Sequence, residues 1–120
     1  MKVINGEIIN NSPWEEKPAG CKDVIWRSRN NPIITRDAIK NSNSIFNSAV
    51  VPFEGGFAGV FRSDDQTRKQ LLHVGFSEDG VFWEIDDEPI KFMNEKGGYN
   101  EFEYGYDPRV CKIEDKYYVT

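Results

Sequence analysis

Apolar runs cut by tight turn signals leave the middle of this chain little choice of architecture. Runs at 45–53, 57–62, 71–76 and 81–85 are rich in aromatic and β-branched residues and carry no sustained helical spacing. Glu54-Gly55-Gly56, the polar stretch 63–70 and Ser77-Glu78-Asp79-Gly80 separate them. Consecutive strands joined by such turns pair antiparallel. Residues 44–85 are therefore expected to form a four-stranded meander, and about 40 residues is the size of one β-propeller blade.

The flanks are less regular. Residues 1–43 are interrupted by Pro13, Pro18 and Pro32, each of which limits helix continuation. They predict an extended arm with a short strand at Val24-Ile25-Trp26-Arg27 and a helical turn within 35–40. Residues 86–103, with Pro89, Gly97 and Gly98, predict a long loop across one face of the sheet. From 104 onward a second unit begins: a strand at 106–113, a turn at 114–116 and a strand at 117–120. The expected class is all-β, one complete blade plus half of the next.

Composition excludes several functions. The chain has 120 residues with 15 basic and 20 acidic side chains, a net charge of −5, which argues against a nucleic-acid backbone as partner. No run approaches the roughly 18 apolar residues of a membrane span, and residues 1–7 do not lead into a signal peptide. The expected compartment is the cytoplasm. Cys21 and Cys111 lack metal-ligand spacing and read as reduced structural thiols. His73, the single histidine, lies within an apolar strand, where a hydrogen-bonded core histidine is expected rather than a base or zinc ligand.

Two segments carry more information. Ser77-Glu78-Asp79-Gly80-Val81-Phe82-Trp83 resembles the Asp-box turn of sialidase-like propellers, shortened by one residue. Asp79 is expected to bond the backbone of its own turn, Gly80 to take positive φ and Trp83 to pack between blades. In Tyr104-Gly105-Tyr106-Asp107-Pro108-Arg109, Asp107 has two readings. It is either a rigidly held, partly desolvated carboxylate suited to general acid work, or an aspartate that pairs with Arg109 or caps a turn.

Five segments occur in an order that identifies a family. Residues 32–36, 43–52, 57–62 and 72–77, together with Tyr106-Asp107-Pro108-Arg109-Val110, closely resemble the N-terminal part of glycoside hydrolase family 130, especially its β-1,4-mannooligosaccharide phosphorylases. The resemblance implies a five-bladed β-propeller with a sugar pocket at its axis. It also implies that β-mannosides are split by inorganic phosphate, with inversion, to α-mannose 1-phosphate. Asp107 matches the family's catalytic aspartate, whose proton reaches the glycosidic oxygen through a sugar hydroxyl, so a lone acid suffices. Asn47, Ser48 and Arg62 match residues that hold the mannosyl unit, and Tyr106 lines the pocket beside Asp107. Asp64 and Asp65 are two further candidates, with no choice between them.

The implied partners are a β-1,4-linked mannooligosaccharide or mannosyl-glucose and inorganic phosphate, with no metal or other cofactor. Five blades of about 40 residues exceed this chain. The family's phosphate-holding residues lie further along, so the chain by itself is expected to be a fragment of low activity. Two alternatives accompany this reading. One is a β-mannoside hydrolase. The other is a non-catalytic β-module that binds glycans through Trp14, Trp26 or Tyr99, or self-associates through exposed strand edges.

Overall fold

A computed structural model describes residues 15–100 and 102–120. Among them the structure is all-β, with a single 3-10 turn at Arg36–Ala38 inside the stretch where a helical turn was expected. A four-stranded antiparallel sheet runs in the order β1 (Ser42–Phe53), β2 (Gly56–Asp65), β3 (Gln70–Ser77) and β4 (Glu84–Ile85). Two hairpins follow: β5 (Phe92–Met93) with β6 (Tyr99–Asn100), and β7 (Val110–Ile113) with β8 (Lys116–Val119). Trp14 lies outside the described residues.

The β1–β2 hairpin closes through Glu54 and Gly55, with φ of 47° and 83°. Positive φ at both central residues is what a type I′ turn requires, and that turn's twist matches the strands it joins. β2 is one of the two inner strands and is buried on both faces. Val60 and Phe61 are 3% and 1% exposed, and Ser63 is buried beside them.

The Phe61 ring lies across a pair of glycines. Gly59 on β2 is registered against Gly75 on β3, and a Cβ added at either would fall within 3.0 Å of that ring. Trp83 meets Phe61 edge-on, with ring centroids 5.0 Å apart. An aromatic covering backbone that has no side chains of its own is a recognised way of pinning strand register.

The two faces of the sheet have different neighbours. Phe57, Phe61, Ser48 and Val50 face the arm, and the cleft between them, about 640 Å³, is also lined by Trp26, Ile33 and Trp83. The opposite face carries Val60, Arg62 and Phe53 and is met by residues 104–119. There Phe53 packs on Phe76 and Tyr117 at centroid distances of 5.6 and 5.5 Å, and the Tyr117 hydroxyl donates to the Pro52 carbonyl at 3.1 Å.

Several expected boundaries are corrected. Residues 24–27 form no strand: Val24 and Ile25 are 91% and 82% exposed with no ladder to join, so their β propensity has nothing to act on. The fourth strand is Glu84–Ile85 rather than 81–85, because the Asp79 carboxylate takes the Val81 and Phe82 amides at 2.8 and 2.9 Å. The strand expected at 106–113 is Val110–Ile113, since Asp107 sits at φ 50° and Pro108 has no N–H to donate. The stretch read as a loop at 86–103 contains the β5–β6 hairpin, with Phe92 stacked edge-on against Phe102.

The Asp79 turn forms as its residue types require. Gly80 has φ 78°, its amide donates to Ser77 Oγ at 2.8 Å, and the Trp83 indole donates to the Gly80 carbonyl at 3.1 Å. Trp83 packs on Phe61 of its own sheet. Bonds from the Phe82 and Val81 amides hold the Asp79 carboxyl below the ordinary carboxylate range. A depressed carboxyl contributes stability above its unfolded value, about pH 4, and loses it as pH falls through the lower folded value. The Trp83 indole N–H resonance is therefore expected to shift as the turn opens below about pH 4. Asp79→Asn should remove that pH dependence, and an unchanged acid transition in the variant would contradict this assignment.

Candidate active site

A β-bulge creates the site. Ile45 is registered with Ser63 and Ser48 with Phe61, so Phe46 and Asn47 together oppose the single residue Arg62. An extra residue on one strand re-aims side chains locally. It puts the Phe46 ring beneath the Arg62 guanidinium, 4.7 Å from its centroid, and turns Asn47 toward the same side. The chain segment after β6 then crosses this face. Gly105 sits over Leu72 and donates its amide to the Gln70 carbonyl at 3.3 Å. Pro108, almost fully buried, anchors the segment's end.

Between these anchors Asp107 takes its left-handed conformation and extends its carboxylate back over the sheet. Asn47 Nδ2 donates to Asp107 Oδ1 at 2.6 Å, and Arg62 Nη1 lies 3.7 Å from the same oxygen. Arg62 Nη2 reaches Asp64 at 3.4 Å. The Tyr106 ring centroid stands 5.8 Å from the guanidinium, with Tyr104 beside it at 5.6 Å. Both tyrosines are half exposed, so the cluster opens to solvent past aromatic walls.

Of the residues expected from sequence, Asn47, Arg62, Tyr106 and Asp107 come together here. Ser48 does not join them: paired with Phe61, it looks toward the arm side of the sheet. Asp107 is held rigidly, but its side chain is 45% exposed, so the desolvated setting is not present among the described residues. Nor does it pair with Arg109. That guanidinium turns to the carbonyls of Asp107 and Pro108, at 3.2 and 2.9 Å.

The structure separates Asp64 from Asp65. Asp64 belongs to the cluster. Asp65 accepts from the Thr67 hydroxyl and from the Thr67 and Lys69 amides at 2.7 to 3.0 Å, which holds its carboxyl below the usual range. Phe46 was missed by sequence reasoning. The one available signal was the failure of Ile45-Phe46-Asn47-Ser48 to alternate apolar and polar residues.

His73 is 2% exposed, with Nδ1 at 2.9 Å from the Asp86 carbonyl, which fixes the proton on that nitrogen. It is a hydrogen-bonded core histidine on the face opposite Arg62. Trp26 carries Lys17 over its ring at 5.6 Å, while Tyr99 is 64% exposed on β6. Cys21 and Cys111 are free thiols.

This combination of acid, arginine and aromatic walls on a blade-like sheet agrees with a comparison of whole sequences. The family described as beta-1,4-mannooligosaccharide phosphorylase matches residues 6–120. The chain belongs to glycoside hydrolase family 130. A beta-1,4-mannooligosaccharide phosphorylase from Ruminococcus albus is 55% identical over 125 aligned residues, covering 99% of this chain. The chain spans 37% of that relative's length. No helix among the described residues is long and apolar enough to cross a membrane.

Proposed function

We propose that this family 130 chain supplies the acid side of a β-1,4-mannooligosaccharide phosphorylase site. Asp107 serves as general acid, and Asn47, Arg62 and Tyr106 hold the mannosyl unit. The observation that carries this reading is the Asp107 carboxylate, fixed at 2.6 Å by Asn47 and 3.7 Å by Arg62 in an open, aromatic-walled cluster. A guanidinium offers a rigid fork of donors that suits neighbouring sugar hydroxyls. Asn47 carries both a donor and an acceptor. A carboxylic acid held between them can protonate the leaving oxygen, directly or through a sugar hydroxyl, while inorganic phosphate attacks the opposite face of the ring.

The reaction needs phosphate in line with the bond it breaks, and loss of such positioning costs orders of magnitude in rate. Arg62 is already divided between two carboxylates, and Arg109 is turned to backbone carbonyls. Residues 1–120 alone are therefore proposed to turn over slowly, with phosphate held by further residues of a five-bladed ring. The outer edge of β8 has no ladder partner among the described residues, which favours self-association when this segment is isolated. The proposed compartment is the cytoplasm, where a sugar phosphate is retained.

The test is to incubate the whole natural polypeptide that carries these 120 residues with mannobiose and inorganic phosphate. The expected product is α-mannose 1-phosphate, identified by NMR, with no requirement for a metal. Release of free mannose alone, at a rate independent of phosphate, would replace this reading with a hydrolase.

A further inference from the structure

Asp64 is a mostly buried carboxylate, 12% exposed at its side chain, two positions from Arg62 on β2 and on the same face of the sheet. A buried carboxylate is costly unless paired, and Arg62 is the cation within 4 Å of it among the described residues. The guanidinium is thereby shared. Nη2 lies on Asp64 and Nη1 on Asp107, the central carbon lies 4.7 Å from the Phe46 ring centroid, and Nε is buried with no hydrogen-bond partner.

We propose that Asp64 is a positioning residue, which acts through Arg62 to keep the Asp107 carboxyl available for proton transfer. The inference rests on the proposed function, since it assigns Asp64 a part in the same site. Asp64 holds one arm of the fork, so Arg62 meets Asp107 through a single nitrogen and one carboxylate oxygen. Without the Asp64 charge, the guanidinium is free to turn onto Asp107 as a bidentate pair. That geometry is the preferred one for arginine and a carboxylate, and it would occupy both oxygens of the acid.

The experiment compares Asp64→Asn with Asp65→Asn in the whole natural polypeptide. Asp64→Asn is expected to lower kcat for mannobiose phosphorolysis on the order of 100-fold, with the loss on kcat rather than KM. Asp65→Asn, altering only a turn, should stay within about twofold of wild type. A second readout is the Arg62 Nε–H resonance, assigned by its loss in Arg62→Lys. It should exchange slowly in wild type and in Asp64→Glu, and quickly in Asp64→Asn.

Wild-type kcat in Asp64→Asn, or an Arg62 resonance the substitution does not change, would overturn the proposal. If Asp64→Asn does not fold, a fast-exchanging Arg62 Nε–H in wild type would overturn it instead. Failure of the wild-type protein to split mannobiose strikes the proposed function, and the resonance then decides for Asp64 by itself.

Discussion

Asp107→Asn is expected to reduce mannobiose phosphorolysis by the whole polypeptide about 10²–10⁴-fold, the range typical for loss of a general acid. The substitution is close to isosteric. The amide oxygen it introduces still accepts from Asn47 Nδ2, where Asp107 now accepts at 2.6 Å. What disappears is the transferable proton and the charge facing Arg62, which lies 3.7 Å away and retains Asp64 as counter-ion. Binding of the mannoside should therefore survive better than turnover, and thermal unfolding should change little. The decisive measurement is single-turnover rate beside mannobiose affinity. A variant retaining a tenth or more of wild-type turnover would remove Asp107 from the role of acid.

Phe61→Ala should be the most damaging substitution for the fold, costing about 3–5 kcal/mol. The cost of a large-to-small change depends on whether neighbours can move into the gap. Here the ring rests on Gly59 and Gly75, which have no side chains to move in, and Trp83 meets it edge-on. Against a total domain stability of about 5–15 kcal/mol, that loss is a large fraction. Urea unfolding followed at the Trp83 indole tests it. A change below about 1 kcal/mol would mean that the site collapses more readily than this geometry allows.

The four-stranded sheet was legible in the sequence because its signals were local. Glu54-Gly55 and the Asp79-Gly80 turn marked where the chain reverses, and the aromatic and β-branched run between 57 and 62 read as a strand between them. Strand ends were harder to place, because side chains decided them. Asp79 withdraws two amides from β4, and the positive φ of Asp107 shortens β7, neither of which apolar patterning encodes. Val24 and Ile25 look like strand residues in sequence but have no ladder to join in the fold.

The site divided along similar lines. Asn47, Arg62, Tyr106 and Asp107 were found through the resemblance of their segments to a family, not through residue chemistry, since a lone aspartate before a proline admits an ordinary structural role. Their mutual distances depend on contacts such as the 60-residue separation between Asn47 and Asp107, which no spacing rule reaches. Asp64 and Asp65 are identical as residue types. Only the direction each takes, one toward Arg62 and one into its own turn, distinguishes them.

The bulge at Phe46 and Asn47 makes this site sensitive to chain length rather than to chemistry alone. Side chains on a strand alternate with a period of two, and a bulge sets two residues against one of the partner strand. Deleting one of the two while keeping 48–53 in place would leave Ile45 opposite Ser63 and a single residue opposite Arg62, so the site would lose either the Phe46 ring or the Asn47 amide. A scan of point substitutions leaves that spacing untouched. The spacing between residues 45 and 48 is thus a constraint on insertions and deletions, invisible to any comparison that scores residues one position at a time.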